Sequence, residues 1–97
     1  MSQPILSQYD QYFLSYSGVR LPLKLVGELD QDSVAMRNTW FGAMVNEAGQ
    51  PTLIHKCVYG ELDLEHKYEY GEDGALKRAD ITDYQLDEDE QKKSLVF

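Results

Sequence analysis

Six side chains able to do chemistry fall in three pairs with a two-residue spacing: His55 and Cys57, His66 and Tyr68, Arg78 and Asp80. Residues two apart on a β-strand point to the same face. Strands carrying these pairs would gather imidazole, thiol, phenol, guanidinium and carboxylate on one surface. If Gly60-Glu61 is a two-residue loop with glycine first, as a type II′ turn demands, Cys57 lies opposite Leu64 and His55 opposite His66. If 71–74 is the next turn, with Tyr70 against Leu76, then Tyr68 faces Arg78 and His66 faces Asp80, and Tyr59 shares their face. Directly opposed residues have Cβ atoms about 4.5 to 5.5 Å apart.

Three chemistries suit such a face. His55, His66 and Asp80 form an open metal-ligand set of two imidazoles and a carboxylate. Cys57 beside a histidine base could act as a nucleophile. His55, His66, Tyr68, Arg78 and Asp80 could line a small-ligand pocket with polar tips in an apolar wall. Plain packing stands against all three. A cysteine is often a small buried hydrophobe, and its reactivity needs an electropositive setting. Tyrosine and histidine on an apolar sheet face commonly satisfy their polar tips locally. A register slip of one residue would dissolve the cluster. The ligand-pocket set is therefore carried forward as the candidate site, with no catalytic residue, metal or cofactor assigned. Trp40 falls on the opposite face, near Met44, Ile54 and Val58, and with Met44 marks a candidate interface.

The elements that must position these residues are strands. The 97 residues allow one domain with one modest core. Residues 12–17 and 21–26 alternate as two strands, and Pro22 suits an edge because it cannot donate to a ladder. Residues 29–38 read as a loop holding one capped helical turn, with Asp30 and Ser33 ahead of an apolar run. Residues 39–45 and 52–59 flank Asn46-Glu47-Ala48-Gly49, which suits a type I turn with a glycine bulge. Residues 62–70 alternate most clearly, and 71–74 repeats the earlier turn chemistry ahead of 75–81. The expected fold is mainly β: an antiparallel meander of about six strands, curled into a sheet or half-barrel, with little helix. Residues 1–8 are expected to be frayed, 9–81 to form the domain, and 82–97 to be an acidic, mobile tail. Its terminal Leu95-Val96-Phe97 could dock back on the sheet.

Residues 67–78, Lys-Tyr-Glu-Tyr-Gly-Glu-Asp-Gly-Ala-Leu-Lys-Arg, resemble one unit of the tyrosine-aspartate repeats of bacterial Rhs-type shells. That resemblance implies a hairpin and no function. The chain as a whole resembles a family of small, uncharacterised proteobacterial proteins, a domain of unknown function. The likeness lies in Tyr-Phe-Leu-Ser-Tyr-Ser-Gly at 12–18, Leu-Pro-Leu-Lys-Leu-Val at 21–26, Arg-Asn-Thr at 37–39 and Val-Tyr-Gly-Glu-Leu at 58–62. It implies one compact bacterial domain.

Seventeen acidic residues against nine basic ones leave a net charge of −8, which repels a phosphate backbone, so direct nucleic-acid binding is not expected. A single cysteine excludes an internal disulfide. No signal peptide is expected from the polar start of the sequence, no apolar run reaches membrane-spanning length, and the expected setting is the cytoplasm. There are no paired catalytic acids and no phosphate-cradling glycine loop. The leading functional expectation is a non-enzymatic binding or protein-interaction module, with a protein partner or a second copy on its surface. The alternatives are a small-ligand binder or minor enzyme using the His55/His66/Asp80/Tyr68 face, and an acidic inhibitor mimicking nucleic acid.

Overall fold

The structure, a computed structural model, describes residues 9–17, 21 and 23–97. The expected frayed segment 1–8, Pro22 and Gly18 lie outside the described residues. The elements are β1 (Gln11–Ser17), β2 (Lys24–Leu29), α1 (Gln31–Ala35), β3 (Thr39–Val45), β4 (Pro51–Val58), β5 (Glu61–Tyr70), β6 (Leu76–Asp83) and β7 (Lys92–Val96). All seven strands join one antiparallel sheet in the order β2-β1-β3-β4-β5-β6-β7. Strands β3 to β7 form a simple meander; the link through α1 returns the chain from the edge strand β2, past β1, to β3. The mainly β, antiparallel expectation holds, with one strand more than expected. No helix among the described residues is long and apolar enough to cross a membrane.

The additional strand comes from the acidic segment. The composition of 82–97 suggests a mobile tail, but 82 and 83 complete β6, and β7 pairs with β6 from Thr82↔Lys92 to Arg78↔Val96. Phe97 continues the ladder, its N–H donating to the Lys77 carbonyl at 2.8 Å. Backbone pairing on an open edge needs no apolar run, and Leu95 supplies the one packed side chain. The carboxylates at 87–90 occupy the exposed β6–β7 connection, where solvent keeps their mutual repulsion small.

The sheet is curled but not closed. Leu23, just ahead of β2, donates its N–H to the Tyr68 hydroxyl on β5 at 3.1 Å, although β1, β3 and β4 lie between those strands. The bend is local to Leu14 and Gly27. Gly27 has φ +74°, and an added Cβ would stand 2.9 Å from the Leu14 Cβ. On one side of the bend Tyr12 and Leu29 join the outer core; beyond it Leu25 joins the inner core and Tyr16 meets Phe41 edge-on. The inner core comprises Leu23, Phe41, Ala43, Ile54, Tyr68 and Ala79. The outer core comprises Tyr9, Tyr12, Val34, Trp40 and Cys57. Two apolar faces explain why β3 is buried along most of its length.

Three hairpins carry bulges, and these correct the expected register. At the β3–β4 turn Gly49 has φ +81°, the Asn46 amide oxygen Oδ1 accepts from the Ala48 and Gln50 N–H groups, and the ladder shifts between Met44 and Val45. The β5–β6 turn has the same form, with Gly74 at φ +81° and a shift between Glu69 and Tyr70. The β4–β5 loop is Tyr59-Gly60, not Gly60-Glu61. Both residues have positive φ, 51° and 79°, which makes it a type I′ turn, and another shift follows at Lys56/Cys57. His55 therefore lies opposite Glu65, Ile54 opposite His66, Tyr68 opposite Ala79 and Lys67 opposite Asp80.

Candidate functional site

The corrected register separates the two histidines. His55 shares the outer face with Cys57, while His66 lies on the inner face beside Ile54 and Tyr68. On the outer face Tyr9 donates its hydroxyl proton to His55 Nδ1 at 2.7 Å, and His55 Nε2 donates to the Glu65 carboxylate at 2.7 Å. These roles follow from the partners, a phenol on one side and an acceptor-only carboxylate on the other. The Tyr9 ring stands edge-on to Trp40, Tyr12 and His55 with centroids 5.5 to 5.9 Å apart. Its position depends on Gly42, where a Cβ would come within 2.6 Å of the ring.

Cys57 is fully buried in this cluster. Burial pushes its thiol up to about 12, against the smaller opposite effect of its hydrogen bond with Tyr9. The Tyr9 phenol is likewise raised far above its ordinary value, chiefly by burial. Neither group ionises near neutral pH, so the nucleophile reading of Cys57 does not fit its setting.

On the inner face Leu23 N–H occupies the Tyr68 oxygen as acceptor, and the Tyr68 proton goes to His66 Nδ1 at 2.6 Å. Burial raises the Tyr68 phenol to about 12. Burial lowers the His66 pKa below 6.5, partly offset by Asp83. Below 6.5 the unfolded chain binds a proton that the folded chain refuses, so stability rises with pH through this window. His66 thus contributes stability that is fully present above pH 6.5 and lost as pH falls toward the lowered folded value. Following the His66 ring by NMR checks this: the expected midpoint lies below 6.5, with a parallel loss of urea resistance. A midpoint at or above 6.5 would contradict it.

Arg78 and Asp80 form a third, separate pair. The guanidinium Nε donates to both Asp80 oxygens at 3.1 and 3.2 Å, and Ser94 donates its hydroxyl to Oδ1 at 2.6 Å. Ser94 above all, joined by Arg78 and Lys67, holds the Asp80 carboxyl below its ordinary range against the opposing effect of desolvation. Asp80 faces Lys67 and Ser94 rather than His66, which takes apart the metal-ligand set His55/His66/Asp80. Among the described residues no group of three or more His, Cys, Asp or Glu is placed to hold a metal ion. The five-residue pocket set, His55, His66, Tyr68, Arg78 and Asp80, is not brought together. Each of its members is hydrogen-bonded within the chain.

Trp40 shares the outer face with Met44, opposite Cys57 rather than near Ile54 and Val58, which face inward. Trp40 is buried, and Met44 is 39% exposed. Trp40 instead lies at the edge of a cleft of about 400 Å³, lined also by Val34, Ala35, Arg37, Asn38, Tyr59 and Gly60. Asp30 caps α1, its carboxylate accepting from Ser33 N–H at 2.7 Å, and Val34 then drops into the outer core. The chain turns at Met36 into β3. The Tyr59 N–H donates to the Asn38 carbonyl at 2.7 Å and ties the β4–β5 turn to this corner. Met36 is 90% exposed and Tyr59 75%. Arg37 Nε donates to the Thr39 carbonyl at 3.2 Å, and no carboxylate among the described residues pairs with its guanidinium.

The sequence marks neither Met36 nor Arg37 as a candidate, and it places Tyr59 on the His55/His66 face rather than at a cleft. One signal was available: Tyr59-Gly60 fits a type I′ turn only if a tyrosine stands where Asn or Asp is favoured. A smaller cavity of about 200 Å³ on the inner side is lined largely by apolar groups including Phe13, Leu25 and Pro51. Another of about 320 Å³ lies over Asp80, Thr82 and Lys92.

A family model described as a family of unknown function (DUF6156) matches residues 6–97. That span agrees with the resemblance seen at 12–18, 21–26, 37–39 and 58–62, at the level of an uncharacterised domain. No curated protein and no solved structure matches the chain.

Proposed function

The chain belongs to the DUF6156 family of unknown function, and from that premise we propose that it is a non-enzymatic protein-interaction module. Its partner is met at the cleft between α1 and the β4–β5 turn. The observation that carries this reading is Tyr59, a bulky residue with φ 51° and a side chain three-quarters exposed. A non-glycine residue held in the left-handed region costs about 1 to 2 kcal/mol. Little burial within the chain offsets that cost, and asparagine would make the same turn with less strain. A partner that buries the ring supplies the missing compensation.

The neighbours fit the same role. Met36, Arg37 and Tyr59 are exposed and of the types enriched at interfaces, and Arg37 and Tyr59 border the same cleft. Elsewhere the reactive side chains are satisfied internally, which supports binding over catalysis. The acidic residues favour mimicry less: Asp63 pairs with Lys56, and Glu65 with His55 and Lys67, so these carboxylates form no uninterrupted negative stripe.

Photocrosslinking in the native host tests this reading. With p-benzoylphenylalanine in place of Tyr59, irradiation is expected to give a discrete adduct of higher mass. The same probe in place of Glu72, on the β5–β6 turn, is expected to give none. No adduct at position 59, or the same adducts from both positions, would contradict the assignment.

A further inference from the structure

We propose that the outer halves of β1 and β2 form a strap over the inner face of the sheet, latched through Tyr68 and released when His66 takes up a proton.

Pairing sets this arm apart from the rest of the sheet. The β1–β3 ladder stops at Phe13↔Phe41, whereas β1 and β2 stay paired out to Ser17↔Lys24. Beyond the bend at Gly27 the arm folds back over the inner face, where Leu21 and Leu25 pack on the inner core. Leu23 alone among the arm's described residues is buried. Contact with the sheet beneath is incomplete. A cavity of about 200 Å³ lies between Leu23 and Leu25 on the arm and Ala43, Val45 and Pro51 on β3 and β4. Among the described residues, one hydrogen bond ties 15–26 to strands β3 to β7, the Leu23 N–H to the Tyr68 hydroxyl at 3.1 Å. A strap held in this way can lift without breaking a ladder pair.

The latch continues into a titratable group. The Tyr68 oxygen accepts from Leu23, while its own proton goes to His66 Nδ1 at 2.6 Å. That arrangement requires a neutral imidazole, because only then does Nδ1 carry a lone pair. Protonation turns Nδ1 into a donor. Three protons then face one phenol oxygen: those of Leu23, of His66 and of the hydroxyl itself. The hydroxyl proton must turn away from the ring, and leaving a buried donor unmet costs more than a hydrogen bond returns. β5 is paired on both sides and cannot move, so the Leu23 bond gives way. Lifting the arm admits water to both rings and uncovers Phe41 and Tyr68, which meet Tyr16 and Leu23 when it is closed.

Among the described residues the other groups around His66 are few. Its own strand supplies Tyr68 and Tyr70. On β6 Ile81 lies opposite, and Asp83 is the charge that favours protonation. On β4 Ile54 lies opposite, and Lys56, two residues on, is engaged by Asp63 at 3.6 Å. On the arm Lys24 follows Leu23 and is exposed. Burial outweighs Asp83 and keeps the imidazole neutral while the arm is closed. The closed arm thus refuses a proton that the open arm accepts, so opening grows as pH falls below 6.5.

Amide exchange of the full chain tests this, followed by NMR from neutral pH to below the His66 midpoint and corrected for intrinsic rates. The Leu23 amide is expected to lose roughly tenfold in protection, with the midpoint of the His66 ring, as the loss of one hydrogen bond implies. The Ile54 and Ala79 amides are expected to keep their protection. In His66→Gln, whose amide oxygen accepts the Tyr68 proton at every pH, Leu23 is expected to stay protected throughout. Leu23 protection that is constant through the midpoint would overturn the strap. So would loss at Leu23 and Ile54 together, or a Leu23 transition that survives in His66→Gln.

Discussion

Gly42→Ala is expected to destabilise the fold by about 3 kcal/mol, the upper end of overpacking costs, for the addition of one methyl group. Gly42 lies in β3 without an unusual φ, so the reason is space. The new Cβ would stand 2.6 to 2.8 Å from three ring carbons of Tyr9. That ring cannot retreat, because Trp40 and Tyr12 meet it edge-on and its hydroxyl is bound to His55. Any shift would also break the Tyr9–His55 bond and leave a half-buried imidazole nitrogen without its donor, at a further cost near 1 kcal/mol. In a domain of this size the loss corresponds to a fall in Tm of roughly 12 to 20 °C.

A contrast and a rescue make the cause visible. At Gly71 an added Cβ would meet the Lys77 side chain at 2.7 Å, but a lysine terminus can swing away. In a Tyr9→Ala background, already weakened, Gly42→Ala is expected to add less than about 1 kcal/mol. Urea unfolding of the four chains gives the coupling between the two sites. A cost below about 1 kcal/mol for Gly42→Ala alone would show that Tyr9 does not seal the outer face as described.

Strand existence was legible because alternation and turn residues agree along most of the chain. Asn46 to Gly49 and Gly71 to Gly74 announce their turns, and both glycines adopt the left-handed φ that those turns require. What was not legible is how each turn hands its register to the ladder. The bulge near Tyr70 inserts Lys77, so every later pair on β6 moves by one residue. The type I′ turn moves the β4–β5 loop back to Tyr59, a pairing shift of two, and the bulge at Lys56/Cys57 takes one of those back, which leaves an odd shift beyond it. Because side chains alternate with a period of two, such single-residue errors send His55 and His66 to opposite faces and take Asp80 away from both. The candidate pocket therefore came apart although its strands were correctly placed.

The other misreading concerned composition. The carboxylates at 87–90 suggested a solvated tail, yet a sheet edge recruits Lys92–Val96 through backbone groups that composition does not report. The cleft was hidden for a related reason. Met36 and Arg37 lie far from Tyr59 in sequence, and the start of the β3–β4 ladder, extended by the Tyr59 N–H to Asn38 carbonyl bond, draws the turn and the α1–β3 corner together. Their exposure is a property of the assembled sheet.

Tyr59→Asn tests most directly whether the strained tyrosine serves a partner. Asparagine with the following glycine is the favoured type I′ pair. Relief of the left-handed strain is expected to stabilise the variant by about 1 kcal/mol. Removal of the exposed ring is expected to abolish capture of the partner identified by the crosslink. Urea midpoints and pull-down of that partner, measured on the same two preparations, give both quantities. A more stable variant that no longer captures the partner is the result expected of an interaction surface. Undiminished capture would contradict it, because the strained residue would then do nothing for binding.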